Sequence, residues 1–219
     1  MFPPRTLGRF FLVVVILYAA FMAPWPGVRS GYLYLFRTFG DVVFARFWFW
    51  PDAGVRFLNL ESLKPGDVAP GAQDMRASGV FDTTMELRSR RAPGKIGYLR
   101  TTGRYVGYVP TAVFLALGLA APLPWLRRLR GLLWGLLLVH AFIALRLTLS
   151  LTANGFAAAK DYALFHPSPF WRSALTGVES IFSEDPTVSF VVPVLIWFVV
   201  FTPRSLWPRP ATEAVPKGA

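Results

Sequence analysis

Apolar positions along this chain fall in long uncharged runs rather than in short alternating or amphipathic blocks. The first run covers residues 10–25, FFLVVVILYAAFMAPW, and follows Arg5 and Arg9. The second covers residues 105–126, with Pro110 in its first turns and Pro122 and Pro124 closing it. The third covers residues 132–151 and is broken only by His140 and Arg146. The fourth, residues 188–202, is short and reaches spanning length only if its helix begins near Ile181, with Glu184 and Asp185 at its outer mouth. A membrane-crossing helix takes about 20 predominantly apolar residues. The pattern therefore predicts a mainly α membrane protein with four transmembrane helices. The first run also resembles a signal peptide in length. Its candidate cleavage sites, Tyr18-Ala19-Ala20 and Phe21-Met22-Ala23, lack a small residue at the first position, so an uncleaved anchor is expected.

The segments between the runs predict a small extracytoplasmic α+β region. Residues 31–50, within the segment 26–104, hold seven Phe or Trp and two Tyr. Phe36, Phe39, Val43 and Phe47 recur at helical spacing among Arg37, Asp41 and Arg46. This suits an amphipathic helix in the outer interface, where aromatic rings prefer to sit, or equally one packed as protein core. Residues 64–79 are rich in Pro, Gly and Asp and read as a loop. In 55–104, two partly alternating arms flank Ala92-Pro93-Gly94 and predict a β-hairpin. A lone hairpin is marginal, so it needs cover from the strand-like 55–63, from the aromatic helix or from a partner. The second outer segment, 153–187, opens with FHPSPFWRS and continues as ALTGVESIF, a short amphipathic helix with Ser168 as its candidate N-cap.

Composition supports this picture: 54% of residues are hydrophobic and the mean hydropathy is +0.44. The net charge of +11 admits a nucleic-acid partner or the positive-inside rule. Position decides between them. With the N-terminus inside, the cytoplasmic segments carry Arg5, Arg9, Arg127, Arg128, Arg130, Arg204, Arg209 and Lys217 against Glu213 alone. The segment 153–187 carries Lys160 and Arg172 against Asp161, Glu179, Glu184 and Asp185. The segment 26–104 is basic but long, and long loops translocate largely regardless of charge. The charge thus describes topology. Both ends, including the tail 203–219, are expected in the cytoplasm, and no nucleic acid is expected as a partner.

Candidate chemistry is sparse. The chain has no cysteine and two histidines without metal-ligand spacing, so no metal and no cofactor are expected. Walker A, GxGxxG, GxSxG and HExxH motifs are absent, and no catalytic residue is assigned. His140 and Arg146 are the intramembrane polar candidates. They are six residues apart, about 120° around an ideal helix, so one helix does not bring them to one tight site. His140 is expected to hydrogen-bond a neighbouring span. Arg146 is expected to reach the outer interface or an acid such as Glu184 or Asp185. Outer-face candidates are the turn cations Arg88, Arg90, Arg91 and Lys95, as an anion site or a solvated turn, and His166 with Glu184 and Asp185 as acid/base groups. Ala112, Ala116 and Ala120, with Gly131 and Gly135, have the small-residue spacing of close helix packing. The short link Arg127–Arg130 predicts that spans two and three form an antiparallel hairpin.

The arrangement around YVPTAVFLALGLAAPLPWLRRLRGLLWGLLLVHAF, residues 108–142, and SFVVPVLIWFVVF, residues 189–201, resembles accessory membrane proteins of bacterial exosortase systems. The exosortase enzymes use a Cys/Arg/His set, and the cysteine is missing here. The aromatic interfacial segment and the under-covered hairpin point to a non-enzymatic accessory or scaffold in the bacterial inner membrane whose outer segments bind a partner or the membrane surface, with the lipid bilayer and a membrane protein as expected partners. Two other classes remain open: a small transporter or channel component using His140 and Arg146, and a membrane enzyme at the outer face.

Overall fold

In the computed structural model, the described residues are 4–23, 25–45, 52–58, 82–90, 94, 96–157, 164–184 and 186–202. The fold is mainly helical with one three-stranded sheet. Six α-helices follow in order: α1 (Pro4–Met22), α2 (Pro26–Phe44), α3 (Val109–Ala120), α4 (Trp125–Ser150), α5 (Pro169–Glu179) and α6 (Pro186–Phe201). The strands are β1 (Ala53–Leu58), β2 (Asp82–Ser89) and β3 (Ile96–Thr102). Three π-helical turns interrupt the pattern: π1 (Arg104–Tyr108) before α3, π2 (Leu151–Phe156) continuing α4, and π3 (Ser180–Glu184) continuing α5.

Helices α1, α3, α4 and α6 form the bundle. Phe10 stacks on Trp197 and Tyr18 meets Phe190, so α1 and α6 run antiparallel. Small residues let the helices approach. A Cβ on Gly135 would lie 1.8 Å from the Phe114 ring, and one on Gly131 would lie 2.8 Å from Phe201. Ala112 and Ala116 are buried on the same helix as Phe114, while Ala120 is half-buried.

The helix bounds correct the expected spans. Among the described residues, one helix, 125–156, is by itself long and apolar enough to cross a membrane. The segments 169–182 and 186–201 pass that test only as a pair, and they are bent by 73°. The apolar helices 6–22 and 104–120 fall short of spanning length. Proline sets these limits. Pro122 and Pro124 stop α3 at Ala120, because proline removes an N–H and disfavours helix in the residue before it. The link between α3 and α4 is therefore 121–124, and Arg127, Arg128 and Arg130 lie in the opening turns of α4 instead. The Arg128 guanidinium donates back to the Leu123 carbonyl at 3.2 Å, and so helps to close the turn.

The aromatic helix starts at Pro26, five residues earlier than expected, and ends at Phe44. Phe47 and the rest of 46–50 lie outside the described residues. Leu33, Phe36, Gly40 and Phe44 form its buried face, whereas Val43 is exposed, so the packing stripe is rotated from the one expected. Gly40 admits the Phe57 ring of β1, and a Cβ there would lie 2.6 Å from it. The Phe57 N–H donates to Asp41 Oδ1 at 2.8 Å, which ties the edge strand to α2.

The expected hairpin is β2–β3, antiparallel, with Met85 opposite Leu99. Gly94, within the expected turn, has φ +89°, the left-handed region that favours glycine. Strand β1 pairs along β2, with Val55 opposite Leu87, and supplies the cover that a lone hairpin lacks. In β2 both Met85 and Thr84 are fully buried, so the central strand is enclosed on both faces. The loop expected over 64–79 lies outside the described residues. Helix α5 begins at Pro169, directly after Ser168, whose side chain makes no capping hydrogen bond.

Candidate functional site

A row of polar side chains runs from the C-terminal part of α4 into π2 and meets π1, α5 and α6. Arg146, Ser150 and Asn154 recur every four residues along α4 and π2, so they share one face. Arg146 and Ser150 are buried, whereas Asn154 is exposed. Arg146 is 1% exposed and the largest fully enclosed side chain described. Its Nη1 donates to the Ser189 hydroxyl on α6 at 2.7 Å and to the Tyr105 carbonyl on π1 at 3.0 Å. Ser189 in turn donates to the same carbonyl at 2.6 Å. Three elements are thereby closed around one guanidinium. Its carbon also stands 5.7 Å from the Phe142 ring centroid, one turn back on α4.

The acceptor arises from local sequence. In a π-turn, a carbonyl pairs with the N–H five residues on. For Tyr105 that residue is Pro110, which has no N–H. The next candidate donor, the Val109 N–H, goes to the Arg104 carbonyl. The Tyr105 carbonyl is thus left to side-chain donors, and Arg146 and Ser189 fill it.

One turn further along the helix, Asn154 Nδ2 donates to Glu179 Oε1 at 2.9 Å. Glu179 is 5% exposed and sits where α5 passes into π3. Gly155, beside Asn154, lies against Leu87 of the sheet. The polar row thus joins α4, α5 and α6 to one another, and Gly155 beside it touches the sheet.

For Arg146 the expected reach to the interface is corrected, while the expected pairing with Glu184 or Asp185 involves side chains outside the described residues. At 1% exposure Arg146 does not reach the surface of the fold, and its Nη1 is held inside the bundle by the Tyr105 carbonyl and the Ser189 hydroxyl. His140 is corrected as well. Its Nδ1 bonds the Leu136 carbonyl of its own helix at 2.8 Å, and its ring meets the edge of Phe39 on α2. Among the described residues, no hydroxyl of a neighbouring helix bonds it. His140 and Arg146 serve separate surroundings, as their angular separation on one helix requires.

The outer-face candidates are scattered. Arg88 is half-exposed, and its Nε pairs at 2.5 Å with Glu86, two residues back on the same strand face. Arg90 is exposed, and its backbone N–H donates to the Asp52 carbonyl. Arg91 and Lys95 lie outside the described residues. His166 is exposed ahead of α5. Among the described residues, no group of three or more His, Asp or Glu is gathered in metal-binding geometry.

Sequence reading missed Tyr105, Asn154, Glu179 and Ser189. Pro110, five residues after Tyr105, and the four-residue repeat from Arg146 to Asn154 were the available signals. Comparison with family models, with curated proteins and with solved structures finds no match to this chain.

Proposed function

We propose that this chain is a multi-pass protein of a bacterial inner membrane, with four crossings and both ends cytoplasmic, acting as a non-enzymatic accessory or scaffold. The observation that carries the membrane reading is α4 with π2. Its most apolar window has a mean hydropathy of 2.0, yet only 39% of that window is buried within the fold. A core helix of a water-soluble domain would hide such a surface, because exposing it costs roughly 25 cal/mol for each Å². Leu133, Trp134 and Leu137 instead face outward, as do Leu12 and Val15 on α1 and Leu195 and Phe198 on α6. Lipid is the solvent that such a belt suits. The 17-residue apolar helix 104–120 and the 16 residues of α6 span about 24–26 Å, and a bilayer thins locally to meet such lengths.

An accessory role is supported by how the polar groups are used. Arg146, Glu179 and His140 each hold backbone or side chains of the fold. On this topology the sheet lies at the outer end; β3 is an edge strand and Ile96 is exposed. Strand edges recruit partner segments by backbone pairing.

Topology fusions test the first part. Alkaline phosphatase should be active when joined after Leu60 or Phe165, and green fluorescent protein should fluoresce when joined after Arg128 or Ala219. Fluorescence at Leu60 or phosphatase activity at Ala219 would overturn the arrangement. A photocrosslinker replacing Ile96 should capture one membrane-protein partner in cells. Recovery of only uncrosslinked chain would remove the scaffold role.

A further inference from the structure

We infer that α5 is a membrane-surface helix, seated in the outer boundary between headgroups and acyl chains by its aromatic face. This rests on reading the bundle as membrane-embedded. At about 100° per residue, Phe170, Trp171, Ala174 and Val178 fall within an arc of about 100° on α5. Phe170 is 73% exposed, Trp171 62% and Val178 42%, and Ile181 extends the stripe at 58%. Arg172, Ser173 and Thr176 occupy the opposite arc. Leu175 and Glu179 point between the two arcs toward α4 and π2, where Asn154 holds the Glu179 carboxylate.

Orientation selects the occupant. Helix α6 runs along the bundle, antiparallel to α1, and the 73° bend turns α5 close to perpendicular to it. A helix crossing the bundle axis at its outer end lies nearly in the plane of the bilayer surface. Its exposed apolar arc then continues the lipid-facing belt of α4 and α6, while Arg172, Ser173 and Thr176 meet water and headgroups. Amphipathic helices with aromatic apolar faces bind interfaces in this manner. The Asn154–Glu179 bond fixes the rotation of α5 about its axis, so the arc is presented to lipid rather than to solvent.

The absence of native cysteine permits single-cysteine labelling without background. Nitroxides at Trp171, Ala174, Val178, Arg172 and Thr176 are to be compared in phosphatidylethanolamine–phosphatidylglycerol vesicles, with Leu133 and Leu137 of α4 as references. Ala174→Cys and Thr176→Cys form the mildest pair and suffice by themselves. Collisions with oxygen should exceed those with a polar nickel chelate at Trp171, Ala174 and Val178, with the ratio reversed at Arg172 and Thr176. Nickel preference at all five, with oxygen preference kept at Leu133 and Leu137, overturns the seating of α5 alone. Protection of Ala174 and Val178 from both reagents means that protein covers the arc, and also overturns it. Nickel preference at Leu133 and Leu137 removes the membrane reading itself.

Discussion

Arg146 on α4 donates to the Ser189 hydroxyl on α6 at 2.7 Å, and both reach the one carbonyl of Tyr105. The arrangement makes the helix junction depend on a short side chain. Ser189→Ala removes the acceptor from a buried cation. A hydrogen bond to a charged group is worth about 1.5–3 kcal/mol, so the variant should lose about that much stability. Reversible unfolding in mixed micelles measures it, and a loss within experimental error would mean that the hydroxyl is dispensable.

Gly135 and Phe114 form a second dependent pair. A Cβ at position 135 would lie 1.8 Å from the ring, so Gly135→Ala should cost about 1–3 kcal/mol through overpacking. Phe114→Leu, which shortens the intruding side chain, should recover part of that loss in the double variant. Such recovery marks direct coupling between the residues. Strict additivity would assign the Gly131/Gly135 spacing to some other contact.

Asp41 links the aromatic helix to the sheet through the Phe57 N–H. Asp41→Ala should speed hydrogen exchange at the Phe57 amide selectively, by about tenfold or more if the bond contributes about 1.5 kcal/mol. Exchange in the α4 amides should stay unchanged.

Gly94 has the only positive φ among the described residues, at +89°. Gly94→Ala should destabilise the hairpin by about 1–2 kcal/mol, since a Cβ is strained in left-handed backbone. Thermal unfolding of the purified protein checks it. Gly177→Ala, in open surroundings on α5, is the control and should not be destabilising.

His140→Leu should leave both abundance and stability within about 0.5 kcal/mol of the parent, because among the described residues the imidazole hydrogen-bonds its own helix and a leucine side chain can keep the apolar contact with Phe39. Loss of cellular function at normal abundance would instead assign His140 a role in conduction or transport.

The helices α1, α3, α4 and α6 and the β2–β3 hairpin were legible in the sequence from apolar runs and from the turn at Ala92-Pro93-Gly94. Their bounds were less so. Apolar content extends α3 to position 126 on paper, yet Pro122 and Pro124 end it at Ala120. Hydropathy registers side chains, and helix length follows the backbone donors. The packing stripe of α2 was misplaced for a related reason. With aromatic residues on several faces, periodicity did not single out Leu33, Phe36, Gly40 and Phe44. The fit of Gly40 against Phe57 did.

By itself the sequence determined the apolar runs, the sign of charge on each connecting segment, the absence of cysteine chemistry and the separation of His140 from Arg146 around one helix. These follow from composition and helical geometry, which are local. The tertiary structure decided where Arg146 goes. A buried guanidinium takes the nearest unsatisfied acceptors, and Tyr105 and Ser189 lie 41 and 43 residues away along the chain. It also decided that Glu179 is enclosed beside Asn154, and that α5 turns across the bundle. Such pairings depend on which helices meet and at what height, and one-dimensional spacing does not encode that.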